Sequence, residues 1–140
     1  MGEDLLQVSG GCYCGAVRFR ASDVRPDLTE CHCSMCRKQA GHRYAVAEGK
    51  TRSLEIEGAD TITWFRASPE GERGFCSLCG STLFWKSSVE DFCAILAAAV
   101  DEPNDLRLTK HIFVESKGGY YEITDGLPRF EGYDRPVAGG

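Results

Sequence analysis

The chain has 140 residues, of which 42% are apolar and 26% charged, and its formal net charge is −5. This length is typical of one domain with a buried core, so we expect residues 1–140 to form a single domain. The sequence has no apolar run long enough to span a membrane, and it lacks the clustered Lys and Arg that sequence-independent nucleic-acid binding needs. We therefore expect neither membrane nor nucleic acid among its partners.

In chain order, the sequence predicts short strands separated by turns. The segments expected to form strands are residues 17–21, 43–47, 53–56, 61–66, 82–86, 92–100, 111–115 and 120–124. Apolar and charged residues alternate in the first of them, which is typical of a half-buried strand. Residues 92–100 are apolar throughout and are expected at the centre of the sheet, with a helix as the alternative because the segment is rich in alanine.

Turns and one short helix complete the predicted elements. The turns are expected at residues 23–27, 69–71 and 117–119. Residues 34–40 are expected to form one helical turn, with Ser34 as its N-cap and Gly41 at its end. A short loose tail is expected at 138–140. The predicted fold class is mainly β.

Seven of the eight cysteines fall into three tight groups. The groups are Cys12 and Cys14, then Cys31, Cys33 and Cys36, and then Cys76 and Cys79. A tetrahedral zinc ion takes four protein ligands in a structural site, or three and an open position in a catalytic site. Seven thiolates therefore divide into one closed and one open site.

A disulfide framework is the competing interpretation of these cysteines. It requires an oxidising compartment, and residues 1–7 show neither the basic segment nor the apolar run of a signal peptide. Cysteines two residues apart, such as Cys12 and Cys14, are also poor disulfide partners but good chelating pairs. The pattern therefore favours metal binding in a reducing, cytoplasmic environment.

The outer two groups predict a structural Cys₄ zinc site. Cys12 and Cys14 point to one face of an extended segment, because side chains alternate along a strand. Cys76 and Cys79, followed by Gly80, have the form of a zinc knuckle. Such a site would pin two ends of the domain together.

The central group predicts a catalytic zinc site with an open fourth position. His32 lies between Cys31 and Cys33 and points to the opposite face of an extended segment, so we expect it to support the site or the core rather than bind zinc. The alternative is a second structural zinc site, with a fourth ligand drawn from Cys93, His42 and His111.

Three motifs together resemble the glutathione-dependent formaldehyde-activating enzyme family, which also contains centromere protein V. They are Gly-Cys-Tyr-Cys-Gly at residues 11–15, Cys-His-Cys-Ser-Met-Cys-Arg-Lys at 31–38 and Phe-Cys-Ser-Leu-Cys-Gly at 75–80. Residues 100–103, 111–113 and 127–130 are similar to the family's C-terminal pattern. The resemblance thus extends over about residues 10–130.

The resemblance implies a mainly β fold of short antiparallel strands, similar to methionine sulfoxide reductase B and to Rab-interacting zinc proteins. It implies a structural zinc on Cys12, Cys14, Cys76 and Cys79, and a catalytic zinc on Cys31, Cys33 and Cys36. The namesake activity joins formaldehyde to glutathione as S-(hydroxymethyl)glutathione, a carbon–sulfur lyase reaction, so the expected partners are a small thiol and an aldehyde. The alternatives are a non-catalytic two-zinc module that binds a protein, and a thiol redox sensor.

Further candidate residues are predicted by type alone. The candidate proton donors are His32, His42 and Tyr44. Three cations near the central motif either bind the carboxylates of glutathione or stay solvated: Arg37, Lys38 and Arg43. Four aromatic residues either wall a pocket or divide between core and surface: Trp64, Phe65, Phe84 and Trp85. Cys93 is expected to be an inert buried thiol, and Asp101 a turn residue.

Overall fold

The computed structural model describes residues 4–134, in which nine strands and one α-helix are found. The strands are β1 Leu6–Gly11, β2 Arg18–Cys31, β3 Ala45–Gly49, β4 Leu54–Glu57, β5 Ile62–Ser68, β6 Gly71–Cys76, β7 Thr82–Ser87, β8 Cys93–Leu96 and β9 Arg107–Ile112. The helix α1 is Ser34–Ala40, and short 3₁₀ helices lie at Thr51–Ser53, Ala59–Thr61, Ala97–Ala99 and Val114–Ser116. The predicted mainly β class is confirmed. None of the helices in these residues is long and apolar enough to cross a membrane.

All nine described strands belong to one sheet, whose main path runs β1-β2-β3-β8-β7-β6-β5. The 14-residue strand β2 organises it by pairing with β1, β3, β4 and β9. Its first half pairs with β1 and β4, and its second half with β3 and β9. The β2–β9 pair is parallel and the others are antiparallel, so the expectation of antiparallel strands holds for all pairs but this one.

The turn predicted at residues 23–27 is wrong, because β2 continues through this stretch. The pairing with β3 shifts register between Val24 and Leu28, and Pro26 falls inside the shift. Proline has no N–H to donate to a ladder and is tolerated at such irregular positions. Val24 and Leu28 are both buried, so core packing holds the segment extended.

The strand predicted at residues 111–115 is right only for its first two residues, and the strand predicted at 120–124 is wrong. Strand β9 ends at Ile112, and Phe113 has a left-handed backbone with φ of 57° that turns the chain out of the sheet. Within β9, His111 pairs with Glu30 of β2 and also with the segment around Arg129. The His111 amide donates to the Pro128 carbonyl, and the His111 carbonyl accepts from the Phe130 amide. Residues 120–124 contain no strand.

The sequence prediction for residues 92–100 is partly right. Strand β8 lies between β3 and β7, so the central position expected for residues 92–100 is confirmed. The strand covers only the first part of that segment, and its alanines form the 3₁₀ helix Ala97–Ala99. Strands β1 and β6 had no predicted counterpart. The tail predicted at 138–140 lies outside the described residues.

The core lies inside the curled sheet. Phe19 of β2 and Phe84 of β7 are buried and pack edge to face, with ring centroids 5.1 Å apart. Two strands, β3 and β8, separate them along the sheet path, so this contact crosses the interior. The fold therefore places the ends of β1 and β6 close together, which positions the first cysteine cluster.

Candidate metal centres

The four outer cysteines meet at one point. Cys12 and Cys14 follow β1, Cys76 ends β6, and Cys79 lies in the turn before β7. The Sγ atoms of Cys12 and Cys14 are 3.6 Å apart and those of Cys14 and Cys76 are 3.8 Å apart, and all four ligand atoms lie within 4.8 Å of one another. Zinc–sulfur bonds of about 2.3 Å in a tetrahedron require sulfurs about 3.8 Å apart. The four thiols therefore fit a tetrahedral zinc ion.

Local hydrogen bonds to these sulfurs stabilise the thiolate form, which is the form that binds a cation. The amide of Val17 donates to Cys12 Sγ over 3.3 Å, and the hydroxyl of Ser81 lies 3.2 Å from Cys79 Sγ. Hydrogen bonds from Ser81 lower the pKa of Cys79 to about 5. Gly80 takes a left-handed φ of 80°, which a side chain would disfavour, at the end of the knuckle.

This cluster joins distant parts of the sheet. Strands β1 and β6 are five steps apart on the path, which corresponds to about 24 Å in a flat sheet. Because Cys14 and Cys76 Sγ atoms are 3.8 Å apart, the sheet curls until its two sides meet. A metal ion bound here would hold the two sides of the sheet together.

The three central cysteines form a second cluster, with ligand atoms within 4.8 Å of one another. Cys31 ends β2, Cys33 caps α1, and Cys36 lies in the first turn of the helix. The Ser34 N-cap prediction is wrong by one residue, because Cys33 Sγ accepts the Cys36 amide over 3.3 Å in place of the usual hydroxyl or carboxylate oxygen. The expected end of the helix at Gly41 is confirmed.

None of the residues suggested as a fourth ligand joins this cluster. Cys93 is fully buried in β8, and burial raises its pKa to about 11, as expected of an inert thiol. His42 is exposed and contacts the ring of Tyr121, while His111 is hydrogen-bonded to His32. Within residues 4–134 the cluster thus offers three thiols and one open side.

A buried cation faces the three thiols. Arg73 of β6 is 7% exposed, and its guanidinium lies 3.6 Å from Cys36 Sγ, 3.0 Å from Gln39 Oε1 and 5.5 Å from the centre of the Tyr44 ring. A positive charge at this position stabilises thiolates. Hydrogen bonds from Cys31 and then Cys36 also lower the pKa of the Cys33 thiol.

The open side of the cluster faces a cavity of about 270 Å³. Five aromatic side chains line it: Tyr44, Trp85, Phe92, Phe113 and Tyr133. Of the three candidate proton donors, only Tyr44 lines this cavity, and burial raises the pKa of its hydroxyl, which therefore keeps its proton at neutral pH. The carboxylates that line the cavity belong to Glu48, Glu70 and Asp134.

A groove of about 650 Å³ adjoins the cavity and shares Met35, Ala67 and Arg73 with it. Lys38 lines this groove, whereas Arg37 and Arg43 line neither space. Arg43 instead pairs with buried Glu30 over 2.6 Å.

The aromatic candidates divide between core and site. Phe84 is fully buried in the core and Trp64 stacks on it, with centroids 6.2 Å apart. Trp85 lines the cavity and exposed Phe65 lines the groove. Asp101 pairs with Arg18 at 2.6 Å and lines neither space. It lies directly before a bend at residues 102 and 103.

Behind the three-cysteine cluster lies a chain of hydrogen bonds that the sequence did not indicate. His32 Nδ1 contacts the Tyr121 hydroxyl, His32 Nε2 lies 2.9 Å from His111 Nδ1, and His111 Nε2 lies 2.9 Å from Asp125 Oδ2. Hydrogen bonds from the Leu127 amide and then from His111 lower the pKa of Asp125, so its carboxylate accepts. The hydrogen bonds then all run in one direction: Tyr121 donates to His32, His32 donates to His111, and His111 donates to Asp125.

Buried Glu30 lies 3.8 Å from both histidine rings, and by distance alone these three side chains could hold a metal ion. We interpret them as a hydrogen-bonded network, because protons already account for every ring nitrogen. Burial lowers the pKa of His32, which favours its neutral form. His32 therefore supports the segment that carries Cys31 and Cys33.

Comparisons with known proteins agree with this architecture. A Halomonas elongata protein, whose name marks it as a candidate glutathione-dependent formaldehyde-activating enzyme, is 33% identical over 131 residues, which cover 84% of this chain and 82% of that one. An uncharacterised lyase of Schizosaccharomyces pombe is 29% identical over 79 residues, covering 56% of this chain and 57% of its own. A crystal structure of a Rhodobacter sphaeroides protein shares the fold, with a TM-score of 0.60 and 22% identity over 72% of this chain and 99% of that one.

The family profile of the glutathione-dependent formaldehyde-activating enzymes matches residues 7–116, a stretch that includes both cysteine clusters, Arg73 and most of the cavity wall. The chain therefore belongs to the glutathione-dependent formaldehyde-activating enzyme family.

Proposed function

We propose that this protein is a zinc-dependent carbon–sulfur lyase that forms and cleaves the adduct of glutathione and an aldehyde, with S-(hydroxymethyl)glutathione as the reference adduct. The observation that carries the proposal is the three-thiol cluster with its open side on a cavity. Residues 1–140 would act as one domain, in the reducing, cytoplasmic environment that free thiols require.

The two clusters have different roles in this proposal. Cys12, Cys14, Cys76 and Cys79 would hold a structural zinc ion. Cys31, Cys33 and Cys36 would hold a catalytic one, which supplies a cationic position that keeps an incoming thiol deprotonated. Arg73 offsets the negative charge of the three protein thiolates.

The chemistry is an addition to a carbonyl group. The glutathione thiol first loses its proton to solvent. Its sulfur then attacks the aldehyde carbon, so that the sulfur–carbon bond forms, the π bond of the carbonyl group breaks, and the oxygen takes up a proton from a donor that solvent reprotonates. Tyr44 carries a protonated hydroxyl at the cavity wall and is the side chain we assign to give that proton. Cleavage of the adduct reverses each step.

The test is the rate of exchange between labelled formaldehyde and S-(hydroxymethyl)glutathione, followed by NMR above the uncatalysed background. We expect Cys33→Ser to stay folded, to lose one zinc equivalent and to lose the acceleration. Cys93→Ala is the matched control, because Cys93 lies buried away from both clusters, and it should keep both zinc ions and the activity. Full activity in Cys33→Ser, or no acceleration by the unaltered protein with any aldehyde, would refute the proposal.

A further inference from the structure

We infer that the aldehyde partner carries an uncharged apolar group about the size of a phenyl ring, which occupies the cavity beside Cys31, Cys33 and Cys36, while the peptide part of glutathione occupies the adjoining groove. This inference rests on the proposed function and narrows its substrate. No oxidation or reduction is involved, because the adduct of such an aldehyde forms by the same addition of sulfur to carbon.

The volume of the cavity favours an aldehyde larger than formaldehyde. It measures about 270 Å³, whereas formaldehyde has two non-hydrogen atoms. An apolar cavity of about 150 Å³ is already sufficient to bind benzene. A one-carbon aldehyde would therefore leave most of this space unfilled next to the reacting sulfur.

The side chains that line the cavity indicate the chemical class of the group that the aldehyde carries. Trp85 and Phe92 pack edge to face with centroids 5.8 Å apart, and Phe113 and Tyr133 do so at 4.6 Å. Both pairs line the cavity together with Tyr44. Aromatic walls of this kind favour an apolar ring, which can stack or contact them edge-on.

The backbone of Phe113 supports a specific role for this wall. Its φ of 57° is rare for a residue with a bulky side chain, and such conformations persist where the surroundings enforce them. The conformation turns the chain directly after Ile112, and both residues line the cavity.

The charges of the cavity argue against an anionic aldehyde. Glu48, Glu70 and Asp134 line it, and Arg73 is the one cation among its described lining residues. Arg73 already contacts Cys36 and Gln39. Although Asp134 pairs with Lys110, the acidic side chains of the described lining still outnumber its one cation. A carboxylate on the aldehyde would therefore meet like charges, which lowers affinity.

The groove provides a separate place for glutathione. It begins at Met35, Ala67 and Arg73, the residues that it shares with the cavity, and it carries Lys38. An ammonium group can pair with a glutathione carboxylate. The two substrates would thus occupy two adjoining spaces whose lining residues differ in charge.

Binding can be tested without catalysis, by using stable thioethers that mimic the adducts. S-(2-phenylethyl)glutathione, S-methylglutathione and S-(carboxymethyl)glutathione represent an aromatic, a one-carbon and an anionic aldehyde. Calorimetry on the zinc-loaded protein should give at least about tenfold tighter binding for the first than for either other thioether, as expected from burial of a phenyl group. Equal affinities for the first two would overturn the inference, whatever the catalytic result.

A variant that fills the cavity provides a second test of where the phenyl group binds. Ser68 lines the cavity but not the groove, so Ser68→Trp should remove the preference for the phenylethyl compound and leave S-methylglutathione binding within about twofold. Ser88→Trp, at an exposed serine that lines neither space, is the control and should change neither affinity. Zinc content and melting temperature verify that both variants fold. Unchanged preference in Ser68→Trp would contradict the assignment of this cavity.

Rates then separate the inference from the function that it rests on. Exchange of glutathione with phenylacetaldehyde should be accelerated over background about tenfold more than exchange with formaldehyde. If formaldehyde is accelerated as much or more, the lyase stands and the larger aldehyde is rejected. If neither is accelerated but the phenylethyl compound still binds preferentially, the cavity assignment stands and the lyase is rejected.

Discussion

At the residue scale, Arg73 is a cation in direct contact with the three-cysteine cluster. Its guanidinium is buried and touches Cys36, so it lowers the cost of holding several thiolates close together. The Gly-Glu-Arg-Gly sequence of β6 does not distinguish this arginine from those on other strands. Its role follows from the packing of β6 against α1.

We expect Arg73→Gln to weaken zinc binding at the three-cysteine cluster by about 10–100-fold, the usual effect of removing a group that supports metal ligands. Chelator competition measures this affinity, and the four-cysteine site should keep its zinc. Arg66→Gln on β5 is the control, because its ion pair with Glu72 is partly exposed to solvent, where such pairs contribute little. Wild-type zinc affinity in Arg73→Gln would show that the cation does not support the cluster.

At the element scale, β1 decides where Cys12 and Cys14 lie. The strand pairs with β2 and also touches the segment after β8, through a bridge between Gly10 and Val100. A Cβ atom on Gly10 would lie 2.1 Å from the Ala99 carbonyl oxygen and 2.7 Å from the Phe19 ring. This close approach of two backbones needs glycine.

Gly10→Ala should lower the free energy of unfolding by about 1–3 kcal/mol, because the backbone of Ala99 has to move. Zinc loading at the four-cysteine site should fall with it, since β1 leads into that site. Gly119→Ala is the matched control: its Cβ would meet nothing within 4 Å. Denaturant unfolding with metal analysis checks both, and equal stability of the two variants would contradict the proposed packing.

At the scale of the whole molecule, the fold is a curled sheet whose two sides meet at the four-cysteine cluster. Cys12 and Cys14 come from the start of the chain, and Cys76 and Cys79 from its middle. A metal ion bound at this point closes a long loop, and its binding free energy becomes folding free energy. The metal would therefore stabilise the whole sheet rather than one turn.

Cys76→Ser should lose one zinc equivalent and the cooperative thermal transition, because the two sides of the sheet are no longer fastened. Cys93→Ala, which removes a buried thiol outside both clusters, should keep two zinc equivalents and a cooperative transition at a slightly lower temperature. Calorimetry and metal analysis on the same samples provide the comparison. A normal transition in Cys76→Ser would refute the structural role.

The sequence alone determined the family, the mainly β class and the grouping of seven cysteines, because these depend on local spacing. Two thiols separated by one or two residues can reach one metal ion whatever the rest of the fold is. It also predicted the end of α1 at Gly41 and the central position of β8, which depend on local conformation and on a continuous apolar run. Local rules failed at Pro26 and Phe113, where the sheet rather than the residue type sets the path of the chain.

Only the tertiary structure decided what surrounds the three cysteines. Arg73 comes from β6, Trp85 and Phe92 from either side of a hairpin, and Phe113 and Tyr133 from the C-terminal segment. His32 contacts His111, which lies 79 residues further along the chain, and His111 in turn contacts Asp125. Contacts between such distant segments arise from sheet pairing and burial, which leave no spacing pattern in the sequence. The cysteine clusters were therefore predictable from the sequence, whereas the residues that line the cavity were not.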